Sequence, residues 1–438
     1  MTKQIVFAIA LLLTFAVFSY TVARIIRFFS LTKKGFPIKN LGKRFMIMAE
    51  VSFGQTKIFR RPVLGFLHAV VFWGFCVILF GSIEMVIDGL FKIEKSLSFL
   101  GWFYDFLMAT GDVFAFLIAI AIVVFLFRRV FLHVKRFEGI EMKKISHIDA
   151  NVALTIILVL MLSLLGMNAA YVSHTHAIGG EIIGYYPVSN FIAPIFSGMT
   201  IESMQVQHEI YWWTHILLIF VFANLLPYSK HFHVFMSVPN TFISRLDPLG
   251  KLKNMDNVTR EVKLMMDPNA AFATPATDAP IERFGVKDAE DVMWNNYFNS
   301  LSCTECGRCT SVCPANTTGK KLSPRKVMMD LRARMKEKGP QLLKNKDFND
   351  GKSLVRDYVS EEELWACTTC NACAKECPIN INQPSLIVDM RRYLVMEEGS
   401  APGEIKAMFS NIENNGAPWQ YSPEDRLLWT KDLEINVH

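Results

Sequence analysis

Five apolar runs in the first 236 residues constrain this chain more than any other feature. They are Ile5–Ala23, Val63–Ile83, Phe106–Phe127, Val152–Val172 and one from about Ile210 to beyond Leu226. Each is long enough to cross a hydrocarbon layer about 30 Å thick as a helix. In lipid a helix also satisfies its own backbone polar groups. One such run alone would fit a buried core helix, but five in series read as a transmembrane bundle. The first lacks a small-x-small cleavage site and is followed at once by Arg24 and Arg27, which marks an anchor rather than a removed signal peptide.

The connections give a direction. Ten Lys and Arg lie between runs one and two, and six more, at 128, 129, 135, 136, 143 and 144, lie between runs three and four. The other two connections hold only Lys92 and Lys95. By the positive-inside bias the N-terminus is outside and everything after the fifth run is cytoplasmic, in a bacterial inner membrane. The formal charge of +6 is modest and sits largely in these connections, so no nucleic-acid partner is expected.

Two cassettes follow, CTECGRCTSVCP (Cys303 to Pro314) and CTTCNACAKECP (Cys367 to Pro378), and they hold eight of the nine cysteines. The ninth, Cys76, lies in an apolar run. Closely spaced thiols need a reducing compartment, which agrees with the cytoplasmic side. The form C-x2-C-x2-C-x3-C-P is an iron–sulfur pattern. Zinc sites also use C-x2-C pairs, but rarely with a third cysteine in register and a terminal C-P. In two-cluster ferredoxins the fourth cysteine reaches across to the other cluster. Carried over, one [4Fe–4S] cluster takes Cys303, Cys306, Cys309 and Cys377, and the other takes Cys367, Cys370, Cys373 and Cys313.

The insert between the cassettes is basic and helix-prone, and includes SPRKVMMDLRARMKEK. With the stretch CPININQPSLIVDMRRYLV it resembles the helical ferredoxin domain of heterodisulfide reductase small subunits and of succinate dehydrogenase iron–sulfur subunits. Arg391 and Arg392 read as a solvated helix face.

An ionisable residue inside a span is a functional candidate, because hydrocarbon makes it costly. His68 sits near the inner edge of span two. The fifth span reads HEIYWWTHILLIFVFANLLPYSKHFHVF, with His208, His215, His231 and His233. On one helix His215 and His233 would share a side, roughly 27 Å apart along the axis. Five spans, an outside N-terminus, H-x17-H and P-x5-H resemble the cytochrome b subunit of respiratory nitrate reductases and related heterodisulfide reductase subunits. There histidines of spans two and five ligate b-type haems. The resemblance implies His68 (FLHAVVFWGF) and His233 (PYSKHFH) as a haem pair near the inner face. It departs at Ile78, where the family has a second span-two histidine. His215 then needs another partner, His174, His176 or His208, or there is only one haem; one or two remain open. His231 and His147 are expected at the polar interface.

The segment HTHAIGGEIIGYYPVSNFIAPIFSGMTIESMQVQH has no Lys or Arg and is apolar and aromatic. Beside His208, Glu202 and His215 it would cover a quinone pocket, since a quinol needs nearby proton acceptors. The alternative is a loop that packs on helix ends.

The last stretch, IENNGAPWQYSPEDRLLWTKDLEI, resembles a linker in fused membrane iron–sulfur oxidoreductases of the heterodisulfide reductase type. In those proteins a domain with CCG motifs follows. No CCG occurs here, so a separate cytoplasmic CCG-domain subunit is expected to dock on the tail. The expected organisation is 1–236 membrane domain, 237–294 linker, 295–400 ferredoxin domain and 401–438 docking tail. In fold class this is an all-α five-helix transmembrane bundle followed by a mainly α-helical ferredoxin domain. With no dinucleotide fingerprint or P-loop, the expected function is electron transfer between membrane (mena)quinone and a cytoplasmic partner, through b haem and two cubanes. The rival is a haem-free accessory polyferredoxin. Such proteins usually carry cysteine motifs at membrane helix ends, which this chain lacks, and need no H-x17-H.

Overall fold

The structure is a computed structural model describing residues 2–267, 283–431 and 433. Part of the expected linker, 268–282, and the end of the expected tail, 434–438, lie outside the described residues. The described residues form helices and no β-strand, only two isolated bridges. Five helices are long and apolar enough to span a membrane. They are α1 (Thr2–Phe28), α3 (Pro62–Phe91), α4 (Trp102–Val130), α5 (Lys144–Ala177) and α7 (Ile201–Leu225), with a short α2 (Leu41–Met48) between the first two. The all-helical fold class expected from the five apolar runs and the helix-prone insert is the one found.

The first four spanning helices outrun their apolar runs at both ends. α3 starts at Pro62, whose fixed φ suits a first turn, and ends where Lys92 turns left-handed. The segment after α5 folds back onto the bundle through α6 (Pro187–Ile192). The buried Asp112 carboxylate of α4 accepts the backbone N–H groups of Val188 at 2.8 Å and Ser189 at 2.9 Å. An anion at a helix N-terminus satisfies donors that have no partner within the helix.

The fifth span departs from the single helix read from H-x17-H. α7 stops at Leu225, Pro227 lies in a tight 3-10 turn, and Ser229 is extended at ψ 156. A second 3-10 turn, Lys230–Phe232, leads into α8 (His233–Phe242). Proline offers no N–H and clashes with the preceding turn, so the helical phase of His215 does not carry through to His233.

After α9 (Asp256–Met266), the cysteine cassettes are framed by α10 (Trp294–Ser302), α11 (Arg308–Ser311), α12 (Pro314–Thr317), α13 (Pro324–Leu342), α14 (Glu361–Ala366), α15 (Ala372–Glu376) and α16 (Gln383–Met396). Their apolar core, with Leu331, Met335, Leu386 and Met390 at its centre, also takes in Phe28 from α1 and Met236 from α8. Val286, Ala289 and Val292 of the expected linker are buried in it too. The membrane helices and the cassettes therefore share packing rather than meeting through a loose tether. Arg334, fully buried on α13, ties the same linker at Asp288 to Asp350 of the insert between the cassettes by pairing with both.

Gly307, in the first cassette, is where that shared packing is closest. Its φ is +70, and a Cβ there would collide with the carbonyl oxygen of Arg136, between α4 and α5. Gly307→Ala is expected to cost roughly 2 kcal/mol from the left-handed backbone and the clash together. It should also open the Arg128–Lys144 connection to protease. Gly319→Ala, at φ +87 with open space around it, should strain only its own turn. Limited proteolysis and thermal unfolding of the two full-length variants compare them directly.

Candidate metal centres

The two cassettes repeat one local structure. A short helix, α10 or α14, ends at the first cysteine, whose backbone is extended. The second and fourth residues beyond it are left-handed in both: Glu305 (φ 56) and Gly307 (φ 70), then Thr369 (φ 53) and Asn371 (φ 60). Such alternation turns successive N–H groups into one concavity that favours an anion. The third cysteine, Cys309 or Cys373, sits on α11 or α15, and Cys313 and Cys377 follow at the ends of those turns.

An arginine from the next long helix holds each first cysteine. Arg332 Nη1 donates to the carbonyls of Cys303 at 3.0 Å and Ser300 at 3.5 Å. Arg391 donates to the carbonyls of Cys367 and, at 2.9 Å, Leu364. This corrects the solvated-face reading of Arg391 and Arg392, since Arg392 also donates, to Asp389 and to the carbonyl of Lys253. The two arginines lie at different offsets from their cassettes, so spacing alone carries no signal for them.

Cys313, Cys367, Cys370 and Cys373 line one small pocket together. Cys377 instead stands within electrostatic reach of Cys303, Cys306 and Cys309. Each group of four thus contains the last cysteine of the other cassette. Burial pushes the Cys303 thiol up to about 11 and those of Cys373 and Cys377 up to about 12, so iron must displace protons to bind. Among the described residues no three His, Cys, Asp or Glu side chains converge tightly enough for one ion. The wider grouping of the thiols suits a multi-iron cluster.

The surroundings fit such a group. Burial, with Arg61, Arg128 and Arg308 nearby, pulls Arg136 down to about 10, while Cys306 pulls it up. The buried Nε and Nη1 of Arg136 have no hydrogen-bond partner among the described residues. Like charges gathered beside thiols call for a counter-anion, and a thiolate-bound cluster is one.

The first group of thiols lies against the membrane helices. Lys57 Nζ donates to the carbonyl of Cys377 at 3.3 Å, and Arg308 Nη1 to that of Lys57 at 3.0 Å. Glu305, between Cys303 and Cys306, pairs with Lys230 at 3.2 Å beyond α7. The second group faces away, and Cys370 is exposed.

His68 is within electrostatic reach of both His233 and Arg308. The Nδ1 of His68 lies 3.1 Å from Gln55 Oε1, that of His233 3.1 Å from the Lys230 carbonyl, and that of His215 2.9 Å from the Leu160 carbonyl. Each acceptor takes an Nδ1–H and leaves Nε2 free, which is how ligating imidazoles are oriented. His231 bonds Ser229 and faces Asp149, and His147 is half-buried.

Away from the cassettes, a cavity of about 760 Å³ is lined by residues from all five spanning helices, among them Ile78, His174, His208 and His215. His176 and Glu202 are exposed and outside its lining. Three lining residues escaped the sequence reading: Glu84, Lys95 and Tyr186. Glu84, 4% exposed, accepts from the Tyr104 hydroxyl at 3.1 Å and the Leu97 N–H at 3.0 Å. Lys95 donates to the Tyr186 hydroxyl at 2.7 Å and lies 4.6 Å above the Tyr171 ring. A carboxylate within α3 was a visible signal for Glu84. The contacts of Lys95, by contrast, come from segments distant in sequence.

Residues 302–381 match the 4Fe-4S dicluster domain family. The chain is 30% identical to the probable iron-sulfur-binding oxidoreductase FadF of Bacillus subtilis, over 87% of this chain and 55% of that protein. It is 29% identical to the EtfAB:quinone oxidoreductase of Syntrophomonas wolfei, over 88% of this chain and 53% of that protein. Over 22% of this chain it is 35% identical to 47% of one component of a CoB-CoM heterodisulfide reductase of Methanosarcina acetivorans. No solved structure matches. The chain spans about half the length of the first two relatives. It is a membrane protein with a 4Fe-4S dicluster domain, similar to iron–sulfur oxidoreductases that carry electrons.

Proposed function

We propose that this chain passes electrons between membrane quinone and a cytoplasmic redox partner, with its N-terminus outside and its cassettes in the cytoplasm. The observation that carries the reading is the spatial order of the candidate ligands. His68 lies near both His233 and Arg308 of the first cassette, and in the second cassette Cys370 is exposed. His68 and His233 would hold a b-type haem, the crossed cysteine groups would hold two [4Fe–4S] clusters, and His215 is the candidate for a second haem. When bound, these groups supply one-electron transfer. The chain's own residues orient the imidazoles, place cations beside the thiols and keep water from the buried group.

The 760 Å³ cavity is the proposed quinone site. Glu84 and His208 would accept the protons of a quinol, and Lys95 with Tyr186 would donate to the carbonyl of a quinone. The partner fits a CCG-type iron–sulfur protein of a heterodisulfide reductase-like complex. The tail supports a docking role: α17 (Gly403–Asn415) buries no residue, and Trp419, Tyr421 and Trp429 are exposed.

Adding a reduced naphthoquinone to the purified protein tests this reading. It should reduce a b-type haem in the visible spectrum and produce two cluster signals in EPR. Cluster signals without any haem band would leave the polyferredoxin reading in its place.

A further inference from the structure

At the junction of the membrane and cassette halves lies a second cavity, about 470 Å³ in volume, whose lining includes none of the candidate ligands above. It is built from the segments after span one and after α8, together with α10 and the start of α16. Five cations line it, Lys39, Arg44, Arg245, Lys251 and Lys253, against one carboxylate, Asp247.

Among the described residues, two buried amide atoms in its wall have no hydrogen-bond partner, the Oδ1 of Asn295 and the Nδ2 of Asn296, and a buried arginine has no counter-anion. Asn296, 1% exposed, has an Nδ2 with no hydrogen-bond partner among the described residues. A buried donor left unpaired is unfavourable. Arg44, 3% exposed, donates to the carbonyls of Lys39, Phe242 and Ser244, and no carboxylate pairs with it among the described residues. A buried guanidinium without a counter-anion, beside an amide donor without an acceptor, describes a place for phosphate oxygens.

The rim says which phosphate. α2, which carries Arg44, exposes Leu41, Phe45 and Met46, and Ile38 just before it is exposed as well. α2 begins ten residues after the end of span one at Leu31. An apolar helix face next to a basic pocket at a span end is the pattern of an interfacial helix that meets acyl chains and head groups together.

We propose that this cavity binds the phosphate head group of an anionic phospholipid from the leaflet on the cassette side. Arg44, Lys39, Lys251 and the Asn296 amide would hold its oxygens, while α2 covers the upper acyl chains. The lipid would tie the segments after spans one and five to the cassette domain. A free phosphate has the same oxygen chemistry but gives the exposed face of α2 no role.

The test uses the full chain in vesicles of phosphatidylcholine alone or mixed with phosphatidylglycerol, followed by native mass spectrometry of the detergent-extracted protein. Phosphatidylglycerol should stay bound and phosphatidylcholine should not. Lys39→Glu with Lys251→Glu, both at exposed positions, should lower retention at least about tenfold, because each change removes a cation that lines the cavity and sets a carboxylate against the phosphate. Lys34→Glu with Lys43→Glu, equally exposed but outside the cavity lining, should leave it within about twofold. Asn296→Asp should abolish it, and if that variant does not fold the surface pairs still decide. Equal retention of the two lipids, or equal losses in the two pairs, overturns the site. Displacement of the lipid by inorganic phosphate, with phosphate then retained, overturns the lipid as its occupant.

Discussion

Replacing His68 by Ala should abolish the b-type haem band and leave both iron–sulfur EPR signals in place. The imidazole would be one of the two side chains that hold the haem, and its Nδ1 contact to Gln55 Oε1 at 3.1 Å is the contact that orients it. No cysteine contact runs through His68, so the clusters should assemble normally. α3 runs on for more than twenty residues beyond this position, and loss of one side chain near its start should not unfold it. Gln55→Ala tests the orientation separately: the ligand remains, and haem affinity should fall about 10- to 100-fold, as it does when the partner of a ligating histidine is removed. His233→Ala should behave like His68→Ala. An unchanged haem spectrum in folded His68→Ala protein would refute the pairing.

The crossed cysteines predict which variants share a phenotype. Cys377→Ser should erase the same EPR signal as Cys303→Ser, although Cys377 belongs to the second cassette. Cys313→Ser should erase the other signal, together with Cys370→Ser, because Cys313 lines the pocket of Cys367, Cys370 and Cys373. Each loss should be complete for one cluster, since serine oxygen is a poor substitute for a soft thiolate. Reduction by quinol should still reach the haem in every variant. If Cys377→Ser instead matches Cys370→Ser, each cassette closes on its own cluster and the order of centres must be redrawn.

Much of the architecture was legible because its causes are local. Apolar length dictates a spanning helix wherever it occurs, and the all-helical class followed from five such runs and a helix-prone insert. Thiols three residues apart announce their chemistry before any folding. The broken fifth span was also legible in principle. Pro227 stood in the quoted stretch, but the H-x17-H spacing was read as continuous helix, and backbone punctuation overrode the side-chain pattern.

What the chain determined by itself, then, is the set of spanning helices, the two cysteine motifs and the uneven placement of charge. Tertiary structure alone decided what these parts meet. Phe28 ends a membrane helix yet belongs to the core of the cassette domain. Arg332 and Arg391 reach the carbonyls of Cys303 and Cys367 from unequal distances along the sequence. Lys39 and Arg44 face Arg245 and Lys251 across one cavity, from opposite ends of the membrane half. The physical reason is the same in each case. Propensity and hydropathy act over a few residues, whereas these contacts depend on the path of the backbone over tens to hundreds, and no spacing along the chain records that path.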